Sequence, residues 1–161
     1  MNTQFKAARV ENYRVSDRSA ADIRYLVIHF TANDGDTAKN NADYFAREAP
    51  GVSAHFFVDE KEIWQSVREK DVAWHCGTRG MYFHPYCRNA NSLGIELCSR
   101  KQGEKYYFTP ETVKNAQNFV RFLMKKYDIP LANVVRHYDV THKNCPAPFV
   151  EDAAAWQSFK A

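Results

Sequence analysis

The sequence predicts an α/β protein: a central mixed β-sheet of about five or six strands flanked by helices. Three observations carry this. The run Arg24-Tyr25-Leu26-Val27-Ile28-His29-Phe30 is apolar almost throughout, as in a strand covered on both faces. Ala54–Asp59 and Glu62–Val67 are strand-like runs joined by a short polar link, the pattern of a hairpin. Around them, apolar residues recur at helical spacing, so strands and helices mix along the chain and layer against one another. A length of 161 residues is enough for one domain with a core of useful size, and residues 1–161 are read as a single domain.

Residues 1–21 lack strong periodicity and read as an extended lead-in with room for one short strand or turn. The strand at 24–30 runs into Thr31-Ala32-Asn33-Asp34-Gly35-Asp36, a loop by composition. A helix begins near Thr37, because Ala38, Ala42, Phe45 and Ala49 share one helical face. Asp36 is placed to cap it and Pro50-Gly51 to stop it. After the hairpin, residues 68–91 are mostly loop, with Trp74, His75, Tyr82, Phe83, His84 and Tyr86 concentrated in it. Long loops in compact domains are often binding loops. Ser92–Cys98 is another strand, and Lys101–Tyr107 a turn or short hairpin. Thr109-Pro110-Glu111 opens a helix with a capping hydroxyl, a first-turn proline and an early acid. Its apolar positions Val113, Ala116, Val120, Leu123 and Tyr127 run on toward Pro130. Val134–His137 is the last strand, and residues 149–159 form a final amphipathic helix through Phe149, Ala153, Trp156 and Phe159.

Composition narrows the function. Hydrophobic residues make up 45% and charged residues 25%, the balance of a soluble globular protein. No apolar run approaches the roughly 20 residues of a membrane span, so membrane insertion is not expected. The net charge of +3 is too small and too scattered to argue for nucleic acid. Met1-Asn2-Thr3-Gln4-Phe5-Lys6 lacks the apolar core of a signal peptide, so synthesis in the cytoplasm is expected. That compartment argues against a disulfide framework among Cys76, Cys87, Cys98 and Cys145. Cys76 and Cys87 bracket a loop, which leaves open one bridge formed after release from the cell.

The densest chemistry lies in Arg136–Pro148, which reads RHYDVTHKNCPAP. We read it as a short strand running into a proline-braced loop that presents His137 and Cys145 together. Imidazole nitrogen and thiolate sulfur are zinc ligands, and a catalytic zinc takes three protein ligands with water in the fourth position. His29, at the end of its strand, is the best third ligand. Spacing alone leaves a second reading equally open, a satisfied core histidine and a buried small cysteine. Glu96 adds weight. A carboxylate inside an apolar strand is expensive to bury unless it has a cationic partner or faces a polar site. Beside a zinc-bound water it would serve as general base. Lys143 would then stabilise the oxyanion of a tetrahedral intermediate, its bland alternative being a solvated lysine.

Five pieces together give a specific resemblance: LVIHFTAN at 26–33, SAHFFVDEKEIWQ at 53–65, AWHCG at 73–77, NSLGIEL at 91–97 and RHYDVTHKNCPAP at 136–148. In this order, spanning nearly the whole chain, they resemble the zinc-dependent N-acetylmuramoyl-L-alanine amidases of phage endolysins, relatives of the peptidoglycan recognition proteins. The resemblance implies that amidase fold, one zinc ion per chain on His29, His137 and Cys145, catalytic roles for Glu96 and Lys143, and a substrate groove along AWHCG with Trp74 and His75. It implies bacterial peptidoglycan as the partner and a monomeric enzyme that reaches the cell wall through a phage-made membrane hole. One departure matters: where another branch places a tyrosine before the second-strand histidine, this chain has Ala54 before His55. That puts more weight on Glu96, and His55 reads as structural. Three alternatives stand beside this reading. One is a non-catalytic peptidoglycan-binding module, which Cys145 with Glu96 argues against. Another is a cytosolic muropeptide-recycling amidase. The third is a cysteine peptidase with Cys145 as nucleophile and His137 as base.

Overall fold

A computed structural model describes residues 2–161. In chain order its elements are β1 (Gln4–Phe5), β2 (Tyr13–Arg14), β3 (Tyr25–Phe30), α1 (Ala38–Arg47), β4 (Phe56–Val58), β5 (Ile63–Gln65), β6 (Val72–Ala73), β7 (Ser92–Leu97), β8 (Arg100–Gln102), β9 (Lys105–Tyr107), α2 (Pro110–Tyr127), β10 (Val134–Arg136), α3 (His137–Thr141), α4 (Ala147–Val150) and α5 (Ala153–Lys160). Six strands form one sheet in the order β1-β5-β4-β7-β3-β10. β3 lies between β7 and β10 with all three parallel, and β4 is parallel to β7. The β4–β5 hairpin is antiparallel, so the sheet is mixed, as the sequence predicts.

Strand alternation sorts the side chains onto two faces. Leu26 and Ile28 of β3, Leu93, Ile95 and Leu97 of β7, and Phe56 and Val58 of β4 join one core. There they pack against Ala116, Phe119, Val120 and Leu123 of α2 and Trp156 and Phe159 of α5. The opposite parity of β3 sends Tyr25 and Val27 into a second cluster with Cys76, Cys87, Val135 and Val140. His29 continues that parity. Phe57 of β4 meets Ala38 of α1 on the same side, with Phe45 packed against them. One face therefore carries the apolar core, while α1, α3 and the loop after β6 frame the other.

Local chemistry explains where the sequence expectations shift. Thr37, not Asp36, caps α1: its hydroxyl accepts from the Asn40 N–H at 3.0 Å. Asp36 instead accepts from the side chains of Thr31, Asn33 and Asn41 and ties the preceding loop together. The lead-in contributes β1 to the sheet edge, and β2 pairs with β6 inside the stretch read as loop. The last strand ends at Arg136. The Asp139 carboxylate accepts from the Arg136 N–H at 2.8 Å, so the chain turns helical at His137. His137 is thus the first residue of α3, not the end of a strand, and the segment leading to Cys145 is part helix rather than all loop. The final helix is two: Asp152 adopts extended backbone and accepts from the Ala155 N–H at 3.1 Å, which restarts the helix after α4. All four cysteines are free thiols.

Candidate metal centre and active site

Parallel pairing places the site. His29 of β3 and Glu96 of β7 are direct register partners near the carboxyl ends of their strands. Arg136 of β10 pairs with Ile28, which delivers His137 alongside His29. α3 then turns the chain back, and the Tyr138 N–H donates to the Cys145 carbonyl at 2.9 Å. Crevices at the carboxyl ends of parallel strands are the usual ligand sites of open α/β sheets.

His29, His137 and Cys145 are all buried, and their ligand atoms lie within 4.8 Å of one another. Cys145 Sγ is 3.6 Å from His29 Nδ1. His137 Nδ1 is buried with no hydrogen-bond partner. A buried ring nitrogen left unpaired costs on the order of 1–3 kcal/mol, and a metal ligand bond would satisfy it. Two imidazoles and a thiol are the donor set zinc prefers, so the residues present fit the ion. Burial, and then the neighbouring His137, His75 and Lys143, hold His29 well below its usual range. Burial and then Lys143 bring His137 down to about 4. Both rings are therefore neutral at pH 7, the form that ligates metal.

Cys145 behaves differently from an activated nucleophile. Burial, then the Glu96 charge, pushes its thiol up to about 12, whereas catalytic thiols are held low. That weighs against the cysteine-peptidase alternative. Glu96 has Oε1 3.8 Å from His29 Nδ1, with its side chain 20% exposed. Burial pushes its carboxyl up to about 8, opposed by Lys143 and assisted by Asp36. Lys143 is exposed and lines the same cleft of about 490 Å³ as the three ligands and Glu96. Phe45, Val52, Ala54, Phe57 and Trp74 form an apolar wall of that cleft. Trp74 is half-buried, and its backbone N–H and carbonyl both bond to Ser53.

The structure thus brings all seven sequence-predicted site residues to one cleft. His75 also reaches it, but both of its ring nitrogens are engaged, with His29 Nε2 at 3.0 Å and Ser92 Oγ at 3.0 Å. His55 lies beneath. Its Nδ1 accepts from the Gly94 N–H at 3.1 Å and its Nε2 lies 2.9 Å from the Asp71 carbonyl, a bracing role within the sheet. Thr78, 3.1 Å from His137 Nε2, was not singled out by sequence reasoning. A lone threonine in a loop carries no signal of that kind.

Comparison with known proteins identifies the family and the fold. The family model described as N-acetylmuramoyl-L-alanine amidase matches residues 19–148. The N-acetylmuramoyl-L-alanine amidase CwlL of Bacillus licheniformis is 35% identical over 94% of this chain and 44% of its own length. BlyA of Bacillus subtilis, of the same name, is 36% identical over 86% of this chain and 40% of its own. The chain therefore spans less than half the length of these curated relatives. Among solved structures, the catalytic domain of XlyA superposes with a TM-score of 0.77 at 31% identity, covering 99% of this chain and 97% of that one. A mutant endolysin from Bacillus subtilis gives 0.77 at 32% identity over 99% of this chain and 97% of that one. With its fold, its buried two-histidine, one-cysteine cluster and this match over most of its length, the chain belongs to the N-acetylmuramoyl-L-alanine amidase family.

Proposed function

We propose that this chain is a zinc-dependent N-acetylmuramoyl-L-alanine amidase. It hydrolyses the amide between the lactyl group of N-acetylmuramic acid and the L-alanine of the stem peptide in bacterial peptidoglycan. The observation that carries the reading is the buried triad of His29, His137 and Cys145, with an unpartnered His137 Nδ1, in the cleft that also holds Glu96 and Lys143. One zinc ion per chain, held by these three, would supply Lewis acidity and a water acidic near neutral pH.

The chain's own groups do the rest. Glu96 Oε1 takes the proton of the attacking water and returns one to the leaving amine nitrogen, so the products are a lactyl carboxylate and a free L-alanine amine. A cation close by counteracts the burial that otherwise keeps this carboxyl protonated. The Lys143 ammonium, at the exposed rim of the cleft, holds the charge that develops on the carbonyl oxygen. Trp74 offers a flat apolar surface to sugar or peptide along the groove. His75 offers ring surface only, since its nitrogens are spent within the protein.

The described residues fold as one catalytic domain, acting as a monomer on the wall after release through a phage-made membrane hole. Near-complete coverage of the XlyA catalytic domain supports that domain reading. No helix among the described residues is long and apolar enough to cross a membrane. Mass spectrometry of muropeptides after digestion of purified walls tests the activity. Stem peptides with a free L-alanine amine are expected. New reducing sugar ends, or cuts inside the stem peptide, would overturn the assignment.

A further inference from the structure

We infer that the segment His75–Thr78 is the positioning element of the metal centre: His75 fixes one ligand histidine and Thr78 the other. The inference rests on the zinc reading above and concerns what orients the ligands.

Each ligand histidine has one ring nitrogen against this segment, which leaves the other for the metal. His29 faces Cys145 with Nδ1, and its Nε2 lies 3.0 Å from His75 Nδ1. If Nδ1 is to ligate, Nε2 carries the proton and donates it to His75 Nδ1. His75 must then carry its own proton on Nε2, which lies 3.0 Å from Ser92 Oγ. Ser92 Oγ in turn donates to the Arg88 carbonyl at 2.7 Å, an acceptor that cannot reverse its role. This chain of bonds has one consistent direction, and it selects Nδ1 of His29 for the metal. His137 repeats the arrangement. Its Nε2 lies 3.1 Å from Thr78 Oγ1, which lies 2.8 Å from Thr141 Oγ1, and its Nδ1 is left buried and unpartnered.

The segment is itself held. Asn89 Oδ1 accepts from the backbone N–H of His75 at 3.1 Å and of Cys76 at 2.9 Å. Gly94 of β7 makes room for the His75 ring, since a Cβ there would sit 2.6 Å from His75 Cγ. Two outer nitrogens, on ligands from different elements, are thus both served by one four-residue stretch. Outer partners of this kind typically contribute 10–100-fold to metal affinity.

The test is zinc affinity by chelator competition on four variants of the full chain. His75→Leu and Thr78→Val remove the partner while keeping bulk. His75→Asn keeps an acceptor near the Nδ1 position, and Thr78→Ser keeps the hydroxyl. The first pair should weaken zinc binding about 10–100-fold, and the second pair should restore it to within about threefold of wild type, tenfold at least being the effect to resolve. Cobalt-substituted wild-type protein and the two rescuing variants should share one visible absorption spectrum, and the two removing variants should depart from it. Long-range proton–nitrogen spectra of zinc-loaded protein should place the ring protons of His29 and His137 on Nε2. Unchanged zinc affinity and cobalt spectra in the removing variants, with only the metal-free melting temperature lowered, would reduce the segment to a structural role and overturn the inference. Ring protons on Nδ1 would overturn it too. Failure of wild-type protein to bind one zinc per chain would instead defeat the metal centre itself, and the inference with it.

Discussion

Replacing Glu96 by glutamine separates what the site does from what it costs the fold. Glu96 sits on a central strand with its carboxyl moved from 4.5 to about 8, chiefly by burial. In metal-free protein the folded state therefore holds a proton between those pH values that the unfolded chain releases. Stability then falls as pH rises through that window. Fully realised, such a displacement corresponds to about 5 kcal/mol. Partial solvent contact at a side chain 20% exposed brings the expected cost to a few kcal/mol. Glutamine does not titrate. Urea unfolding in excess chelator should find Glu96→Gln and wild type equally stable near pH 4.5, and the variant more stable by a few kcal/mol at pH 8.5. The zinc-loaded variant should keep its zinc and lose about 10²–10⁴ in turnover, the usual cost of a missing general base. A stability difference independent of pH would refute the burial argument. Near-normal turnover would remove Glu96 from the mechanism, and loss of zinc would make it part of the metal site.

Three further outcomes follow from the geometry. Cys145→Ala should abolish stoichiometric zinc by metal analysis, and dialysis of wild type against chelator should abolish wall hydrolysis until zinc is returned; full activity in metal-free protein would revive the cysteine-peptidase reading. Lys143→Met should lower kcat by about 10²–10³ with zinc content and melting temperature unchanged, because the lysine is exposed. His55→Leu should destabilise the fold by about 2–4 kcal/mol, measured by urea unfolding, since it strands the buried Gly94 N–H and Asp71 carbonyl. Burial and then Arg18 hold His55 down to about 3, so its neutral form contributes stability above about pH 6.5 that is lost as pH falls from there toward 3; the leucine variant should lose less on acidification.

The parts of the fold that the sequence made legible are those where one physical signal dominates. β3 is a nearly unbroken apolar run, and the β4–β5 hairpin and α2 carry clear alternation, capping and spacing. The misreadings fall where side-chain bonds to the backbone outweigh pattern. Asp139 starts α3 at once after β10, and Asp152 restarts the helix after α4; neither aspartate differs in the sequence from a solvated one. Asp36 and Thr37 are both capping types, and only the geometry of Asn40 decides between them. Spacing carried His29, His137 and Cys145 only to an even choice with a core histidine and a buried cysteine, and the family resemblance decided between them. The partners that orient the triad were not readable, because threonine, serine and asparagine occur everywhere and bond through atoms whose placement depends on the whole fold.

β7 shows why that division is physical. A central strand with parallel neighbours on both sides should be apolar on both faces. On one face β7 obeys, with Leu93, Ile95 and Leu97 fully buried in the core. On the other it presents Ser92, Gly94 and Glu96, three successive departures. Each answers to the cleft: Ser92 bonds the outer nitrogen of His75, Gly94 leaves space for that ring, and Glu96 stands beside His29. A strand optimised for stability alone would fill these positions with β-branched residues. Local rules are expected to fail where function demands it, and here the failures share a single face and parity. Glu96 could be read from its charge alone. Ser92 and Gly94 become meaningful only once His75 is seen lying across them, so the sequence announces the departure on β7 while the structure supplies its reason.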